Sequence, residues 1–424
     1  NINGLEIRRV LFRLKVNIYP NRCLVDNSVK YPLSQRVNAI KPSPTLAVSQ
    51  KAAELKAAGA DVIGLGVGEP DFTTPEFIRE AAKQAIDAGH TRYTAVDGIP
   101  ELKKAICAKF ARDNQLTYEP SEILVSAGGK HSIFNLLTAW LDEGDEVIIP
   151  APYWVSYPDM TLLVGATPVV IEAGIDQAYK ITAEQLEQAI TDKTKLLFLN
   201  SPSNPTGMAY SAAELESLAA VLRKHPRVLI ATDDMYEHIL WTAEPFVNLP
   251  MVAPDLKDRT VVLSGVSKAY AMTGWRIGYA AGPKPIIAAM KKVQSQSTSN
   301  PASISQYAAL AALTGDQSFI GEMVNEFRIR HDRLIDGLSK IPGLKVRPGD
   351  GTFYAFPNIE GLMQAVGVDT DVELCERLLS EANVALVPGS AFGAPGHFRL
   401  SFAASRDTLD EAVRRIAEFA AQYA

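Results

Sequence analysis

The chain of 424 residues is poor in cysteine, with only Cys23, Cys107 and Cys375, which are widely separated. An odd number of distant cysteines does not make a disulfide framework, so we expect a reducing compartment, most simply the cytoplasm. The six histidines show no HExxH spacing and no CxxC pair is present. We therefore expect no dedicated metal site.

Long hydrophobic runs are also missing. No uncharged apolar stretch reaches about 18 residues, so we expect no membrane-spanning helix. The formal net charge of -6 argues against a nucleic-acid-binding surface. At 47% hydrophobic and 21% charged residues the composition is that of a globular protein, and the length allows two domains with substantial cores.

Residues 1–32 differ from the remainder because they are basic and follow no helical or strand period. Arginines around a short apolar stretch weakly favour a targeting peptide, whereas Glu6, Asp26 and the scarcity of serine argue against one. We predict an N-terminal extension and leave its role open.

From residue 42 onward, helix signals are regular. Gly59 and Gly89 follow helical patterns and are expected to end them in the left-handed conformation. In Thr74-Pro75-Glu76 we expect a new helix with Thr74 as its N-cap.

The middle of the chain alternates short apolar strands with amphipathic helices. Continuous apolar strands in such an order indicate a mostly parallel sheet covered by helices on both faces. The predicted strands are EILVSA, DEVIIP, ATPVVI, TKLLFLN, RVLIATD, TVVLSGV and RIGYAAG. The last hundred or so residues mix long helices with the short strands LKVRP, TFYAF and FRLSFA, which predicts a second, smaller α+β domain.

Open α/β sheets place their chemistry at the carboxyl ends of their strands. The residues that follow these predicted ends are Gly128-Gly129-Lys130, Asn204, Asp233 with Tyr236, and Lys268. Lys268 lies eight positions before Arg276. A lysine amine captures carbonyl groups when its pKa is lowered, and arginine holds anions, so the pair suits a pyridoxal 5′-phosphate (PLP) site.

Each of these residues also has a structural interpretation. Lysines after strands are commonly solvated, and Asp233 or Asp234 could cap a helix over MYEHIL. Asn204 lies in the turn-forming sequence NSPSNPTG, and the glycine turn could simply join a strand to a helix. Arg399, inside the strand-like run HFRLSFA, fits either a substrate carboxylate or a structural ion pair.

Several motifs taken together resemble the class I/II aminotransferases of PLP fold type I. They are SAGGK, PYWVSYP, SPSNPTG, DDMY, GVSKAYAMTGWRIGYAAG and HFRLSFA, in the family's order from about Leu33 to the C-terminus. The resemblance is closest to the bacterial branch of aspartate and aspartate/prephenate aminotransferases. It implies an α/β fold whose large domain (75–310) has a seven-stranded, mostly parallel sheet, with a small domain made of 33–74 and 311–424.

The resemblance implies a cofactor role for each matching residue. Lys268 would be the Schiff-base lysine that also shuttles the substrate proton. Around the ring it implies Asp233 at the nitrogen, Asn204 and Tyr236 at the phenolate oxygen, and Trp154 on one face. Around the phosphate it implies Gly128, Gly129, Lys130, Ser267 and Arg276, joined by Tyr93 from the second subunit of a homodimer with shared active sites.

Substrate binding is implied in the same way. Arg399 would hold the α-carboxylate, with the backbone at Gly68 and the side chains of Asn204 and Trp154 around it. Lys130, assisted by Thr45 and Ser297, would hold the distal carboxylate of a dicarboxylic substrate. Gly265 is a departure, since some relatives place a phosphate-binding serine there.

The expected activity is ping-pong transfer of an amino group between L-aspartate or L-glutamate and a 2-oxo acid. Alternatives are prephenate, aromatic or alanine-type transamination, or a PLP-dependent lyase or decarboxylase, because fold and cofactor do not choose among these reactions. A PLP-binding regulator would need an N-terminal DNA-binding domain, for which the basic extension is too short and has no helix-turn-helix pattern.

Overall fold

A computed structural model describes residues 32–423, so the prediction for the N-terminal extension lies outside the described residues except for residue 32. The α-helices are α1 Gln35–Ala39, α2 Pro44–Ala57, α3 Glu76–Asp87, α4 Pro100–Asn114, α5 Gly129–Trp140, α6 Ser156–Leu163, α7 Ala183–Ala189, α8 Ala212–Lys224, α9 Leu249–Val252, α10 Lys284–Gln296, α11 Ser303–Thr314, α12 Ser318–Ser339, α13 Glu360–Val366, α14 Asp371–Glu381 and α15 Arg406–Ala421. The strands are β1 Ile63–Gly64, β2 Ile123–Ser126, β3 Glu146–Ala151, β4 Thr167–Glu172, β5 Thr194–Asn200, β6 Leu229–Asp233, β7 Thr260–Gly265, β8 Gly278–Ala281, β9 Tyr354–Ala355, β10 Val384–Ala385, β11 Val387–Pro388 and β12 Phe398–Ser401. Within residues 32–423 no helix is long and apolar enough to cross a bilayer.

The central sheet has seven strands in the order β2-β8-β7-β6-β5-β3-β4. All seven correspond to the predicted strands. Strand β8 runs antiparallel to both of its neighbours, while the other neighbouring pairs are parallel. The expectation of a mostly parallel sheet is confirmed.

Helices cover both faces of this sheet, which is why its strands are continuously apolar. Val147 and Ile149 of β3 face one side, where they pack with α5, α6 and α10. Ile148, between them, faces the other side and packs with α8. Helix α8 begins with a capping box in which the Ser211 hydroxyl accepts a hydrogen bond from the Glu214 N–H and the Glu214 carboxylate accepts from the Ser211 N–H.

The smaller α+β unit has its own core. Ile63 and Leu65, from the N-terminal part of the chain, lie in one apolar cluster with residues of α12, α14, α15, β9 and β12. This packing supports our proposal that residues 33–74 belong to the small domain. Helix α11 instead buries Ala308 and Ala312 in a cluster with Ile78 of α3, so we propose that the large domain extends to the end of α11, past the expected boundary at 310.

Two local expectations are wrong. Thr74 does not cap α3, because its hydroxyl donates a hydrogen bond to the Ala271 carbonyl at 2.6 Å and Pro75 occupies the N-cap position. The segment LKVRP forms no strand, and its only pairing among the described residues is an isolated bridge between Lys345 and Asn358. Gly59 and Gly89 do adopt positive φ values, of 90° and 77°, directly after α2 and α3 as expected.

Strand direction brings the predicted functional residues to one edge. The carboxyl ends of β2, β5, β6 and β7 point to the same edge because these strands run the same way. Gly278, at the amino end of the antiparallel β8, pairs with Ser126 of β2 and Gly265 of β7. Arg276, just before β8, is therefore delivered to the edge at which Lys268 follows β7.

Candidate active site

Lys268 lies in the turn after β7, and its half-buried side chain points back toward the N-terminal part of the chain. Its Nζ donates a hydrogen bond to the Gly68 carbonyl at 2.5 Å. Desolvation lowers the pKa of Lys268 to about 8; Glu69 opposes this shift, and the charges of Arg399 and Arg276 add to it. A larger fraction of this amine is therefore neutral and nucleophilic at physiological pH than for a solvated lysine.

The glycine turn and Arg276 form a close-packed cradle. Gly128 has φ of 91°, and a Cβ atom there would lie 2.3 Å from Arg276 Nη2. A Cβ at Gly278 would lie 2.3 Å from the Gly129 nitrogen. The positive φ at Gly128 and the backbone contact at Gly278 require glycine. The exposed guanidinium of Arg276 lies beside the amino end of the twelve-residue helix α5. Free N–H groups at a helix start beside an arginine form an anion site suited to phosphate.

Asp233 ends β6 and is 7% exposed. One carboxylate oxygen accepts from the Tyr157 hydroxyl at 2.6 Å and the other from the Met235 N–H at 3.3 Å. Burial raises the pKa of this carboxyl group, so the ionised form needs a further N–H or positive partner. The alternative of a helix cap is wrong, because residues 234–239 form turns and no helix.

Arg399 is a buried cation on β12, only 2% exposed. It donates to the Asn204 side-chain oxygen at 2.8 Å and to the Gly66 carbonyl at 2.7 Å, while its Nε is buried without a hydrogen-bond partner. No acidic side chain pairs with it among residues 32–423, so a structural ion pair does not account for it. A buried guanidinium without an acidic partner is suited to bind an anion from outside the chain.

Tyr236 and Tyr354 connect these groups. Their hydroxyl groups lie 2.9 Å apart, and the Tyr354 ring lies 4.5 Å from the Arg399 guanidinium carbon. A Cβ at Gly68 would be 2.4 Å from the Tyr354 hydroxyl oxygen. Burial raises the pKa of Tyr236 well above its usual value, which keeps its hydroxyl protonated and able to donate.

Lys130 lies at the start of α5 with its Nζ 4.9 Å from the centre of the Trp154 ring. Trp154 meets Tyr157 edge-to-face at 5.4 Å, so this pair is linked to Asp233 through Tyr157. Ser297 reaches the same turn indirectly, since its hydroxyl lies 3.3 Å from Nε2 of the histidine that follows Lys130.

Ser267, Thr45 and Tyr93 were also predicted to belong to the site. Ser267 is 6% exposed and immediately precedes Lys268. Thr45 lies in the first turn of α2, with a buried hydroxyl oxygen that has no hydrogen-bond partner. Tyr93 is 93% exposed on this chain. The presence of glycine at position 265 has a spatial reason, because a Cβ there would lie 3.0 Å from the Ile277 carbonyl oxygen.

Four residues of the site were missed by the sequence analysis: Tyr157, Asn200, Phe353 and Tyr354. Tyr157 and Asn200 each bind Asp233, and Phe353 lies 5.8 Å from Lys268 Nζ. Tyr157 belongs to the quoted motif PYWVSYP, and Asn200 ends a predicted strand, so the sequence pattern could have identified both as site residues. Phe353 immediately precedes β9 and Tyr354 begins it, far from Lys268 in the chain, and only the tertiary fold brings them here.

The donor set fits pyridoxal phosphate. Lys268 provides an amine of lowered pKa, and Asp233 provides a buried carboxylate suited to a ring N–H. In the cradle of Gly128, Gly129 and Arg276, a Cβ on either glycine would lie within 2.4 Å of a neighbouring side chain, and Arg276 presents a positive charge. Amine, carboxylate and anion site are the three recognition elements that such a cofactor needs.

The family model for aminotransferase class I and II matches residues 60–416. The aspartate/prephenate aminotransferase of Nitrosomonas europaea is 58% identical over 391 residues, which covers 91% of this chain and 98% of that protein. The aspartate aminotransferase of Geobacillus stearothermophilus is 52% identical over 387 residues, with the same two coverages of 91% and 98%.

Solved structures agree with these sequence relatives. The crystal structure of the aspartate aminotransferase from Rhizobium meliloti superimposes with a TM-score of 0.90 at 48% identity, covering 93% of this chain and 100% of that one. The Thermus thermophilus aspartate aminotransferase with maleate gives a TM-score of 0.87 at 44% identity, covering 92% and 99%.

Proposed function

The chain belongs to the aminotransferase class I and II family, and we propose that it exchanges an amino group between L-aspartate or L-glutamate and a 2-oxo acid. It is a PLP-dependent enzyme of the aspartate aminotransferase type with fold type I. The observation that carries the choice of substrate is the pair of cations, Arg399 and Lys130, neither of which has an acidic partner among the described residues. Two such cations suit the two carboxylates of a dicarboxylic amino acid.

The relatives support the same class of substrate. The Thermus thermophilus structure is described with maleate, which is a dicarboxylate. Its overall similarity to this chain supports the assignment of two carboxylate sites here. The decisive experiment is steady-state kinetics with aspartate, glutamate, alanine and phenylalanine as amino donors, and equal rates for all four would contradict the proposal.

Different residues bind the substrate, orient it and transfer its proton. When bound, pyridoxal phosphate supplies an aldehyde that takes up the amino group and a ring that delocalises the electron pair of the Cα–H bond. Arg399 binds the α-carboxylate and thereby fixes the orientation of Cα, while Lys130 fixes the other end. Lys268 would remove the proton from Cα and deliver it to the carbon of the cofactor's former aldehyde group.

The remaining groups control charge. Asp233 keeps the ring nitrogen protonated, and Tyr157 stabilises the ionised carboxylate by donating to it. Asn204 and the neutral Tyr236 provide hydrogen-bond donors for the phenolate oxygen. Gly128, Gly129, Ser267 and Arg276 hold the phosphate. We further propose a cytoplasmic homodimer in which the exposed Tyr93 joins the phosphate site of the partner.

Lys130 is expected to act on the distal carboxylate only. In Lys130→Ala, kcat/KM for aspartate should fall about 10- to 100-fold, because a hydrogen bond to a charged group contributes roughly 1.5–3 kcal/mol. The value for alanine should change little. Lys257→Ala is a matched control, since Lys257 also lies over an aromatic ring, at 4.4 Å from that of Tyr118. Unchanged aspartate turnover in Lys130→Ala would refute this assignment.

The lowered pKa of Lys268 predicts a pH profile for capture of the cofactor by the apoenzyme. Because the ammonium form dominates below about 8, the capture rate should rise about tenfold per pH unit up to that value and then level off. Rapid-mixing absorbance would measure it, with Lys268→Ala as the blank. A rate that still rises steeply near pH 10, the range of an ordinary lysine, would show that burial does not shift this amine.

The name of one relative supports prephenate as an alternative amino acceptor. The Nitrosomonas europaea protein is called an aspartate/prephenate aminotransferase. Prephenate also carries two carboxylates, which Arg399 and Lys130 could bind. Comparing kcat/KM for prephenate and oxaloacetate with glutamate as the donor would decide which acceptor is preferred.

A further inference from the structure

Asn200 lies between Asp233 and Asn204 of the site, and it was not among the strand-end residues named from the sequence. It is the last residue of β5 and stands opposite Asp233 in the register with β6. Its Nδ2 donates to the Asp233 backbone carbonyl at 2.8 Å, and its Oδ1 accepts from the Asn204 backbone N–H at 2.8 Å. One half-buried amide therefore binds the main chain of both residues.

These two backbone groups lie where the sheet ends. After Asp233 the chain enters the turns of 234–239, and the segment 201–207 after Asn200 is likewise irregular. The pairing between β5 and β6 ends at this register pair. The Asn200 side chain thus replaces the ladder at the point where β5 and β6 separate, which restricts how far the two turns can move relative to each other.

Both turns carry side chains whose orientation matters. The Asp233 carboxylate is held by Tyr157 and Met235, and the Asn204 amide oxygen accepts from Arg399 at 2.8 Å. The hydrogen-bond path from Tyr157 to Arg399 passes through the Asn200 amide. Breaking that link would remove this connection between the two turns while leaving each side chain its own outer partner.

We propose that Asn200 is a positioning residue that sets Asp233 and Asn204 at a fixed separation, so that the ring nitrogen and the phenolate oxygen of the cofactor are bound together. This rests on the proposed function for the cofactor contacts of these two residues. Asn200 contacts the reacting groups only through its neighbours. Its chemistry is specific, because both a donor and an acceptor are needed and a primary amide supplies them in one plane.

Three variants separate this role from ordinary stability. Asn200→Asp keeps the acceptor facing Asn204 but sets a carboxylate oxygen against the Asp233 carbonyl oxygen, so it disturbs the Asp233 side. Asn200→Ala removes both hydrogen bonds. Ser201→Ala is the matched control, because Ser201 is 7% exposed and its hydroxyl accepts from the Tyr210 N–H at 3.0 Å, in the same segment but away from both residues.

The measured quantity is the dissociation constant of each apoenzyme for PLP and for its analogue with CH in place of the ring nitrogen. We expect Asn200→Asp to weaken PLP binding about tenfold but binding of the analogue only about twofold, since the analogue has no N–H for Asp233. Asn200→Ala should weaken PLP binding by a similar factor. It should also raise KM for aspartate, because Asn204 accepts a hydrogen bond from Arg399. Ser201→Ala should lower the melting temperature and leave both dissociation constants unchanged.

The outcomes are distinct. Equal weakening of both cofactors by Asn200→Asp, or an effect no larger than that of Ser201→Ala, would show that Asn200 only stabilises the fold. If Asn200→Ala does not fold, as judged by circular dichroism, the comparison of cofactors in Asn200→Asp still decides. Failure of the proposed function would appear separately, as wild-type protein that binds PLP but does not transaminate aspartate.

Discussion

Replacing Lys268 by alanine is expected to lower kcat for transamination by about four orders of magnitude or more, because one amine is both the nucleophile and the proton carrier. The visible absorption of the loaded enzyme should become that of free PLP, since no other described lysine contacts the Gly68 carbonyl beside Tyr236 and Phe353. Both steady-state rates and absorption spectra test the expectation.

Lys268→Met serves as a control for packing, because it keeps an unbranched apolar stem in the same space. It should be as inactive as Lys268→Ala. Residual activity near the wild-type value in either variant, or an unchanged spectrum without added amine, would contradict the assignment of Lys268.

Arg399→Lys is expected to reduce kcat/KM by roughly 100-fold or more for every amino donor, including those without a distal carboxylate. A lysine ammonium cannot make the planar two-point contact of a guanidinium, and loss of a buried charge-pair contact costs about 2–5 kcal/mol. The loss should be general, in contrast with that of Lys130→Ala, which is restricted to dicarboxylic substrates. Kinetics with aspartate and alanine measure the difference.

Arg259→Lys provides the matched control for a buried arginine. Arg259 is half-buried and donates to the carbonyl groups of His225, Val228 and Leu222, before the amino end of β7. Its substitution should lower thermal stability and leave kcat/KM unchanged. If Arg399→Lys affected stability alone in the same way, Arg399 would have no role in substrate binding.

The sequence was sufficient to predict the seven strands and the edge at which the site forms. Lys268, Asp233 and Asn204 were found from the apolar strands, because each lies at the end of a recognisable strand or within four residues after it. The strand order and the reversed direction of β8 were not predicted, since pairing partners depend on the tertiary fold. Arg276 was matched through its motif, and only the reversal of β8 explains how it reaches the cradle with Gly128 and Gly129.

The error at Thr74 has a physical cause, which is competition between local and distant hydrogen-bond partners. Thr74 is a good helix cap by type, yet it binds the Ala271 carbonyl from a distant part of the chain. Asn200 was overlooked, because a residue at the end of a predicted strand is expected to take part only in the strand's backbone pairing. Its connection to Asp233 and Asn204 became visible only when two strands were placed side by side.

The buried Arg399 also has a consequence for the thermodynamics of the whole protein. Desolvation lowers the pKa of this guanidinium, so the fold bears the cost of a buried charge that the chain does not neutralise with an acidic side chain. Any carboxylate that binds there stabilises the native state by mass action, and the fold around β12 shares in that gain. Resistance to unfolding should therefore vary with the supply of the protein's own substrates.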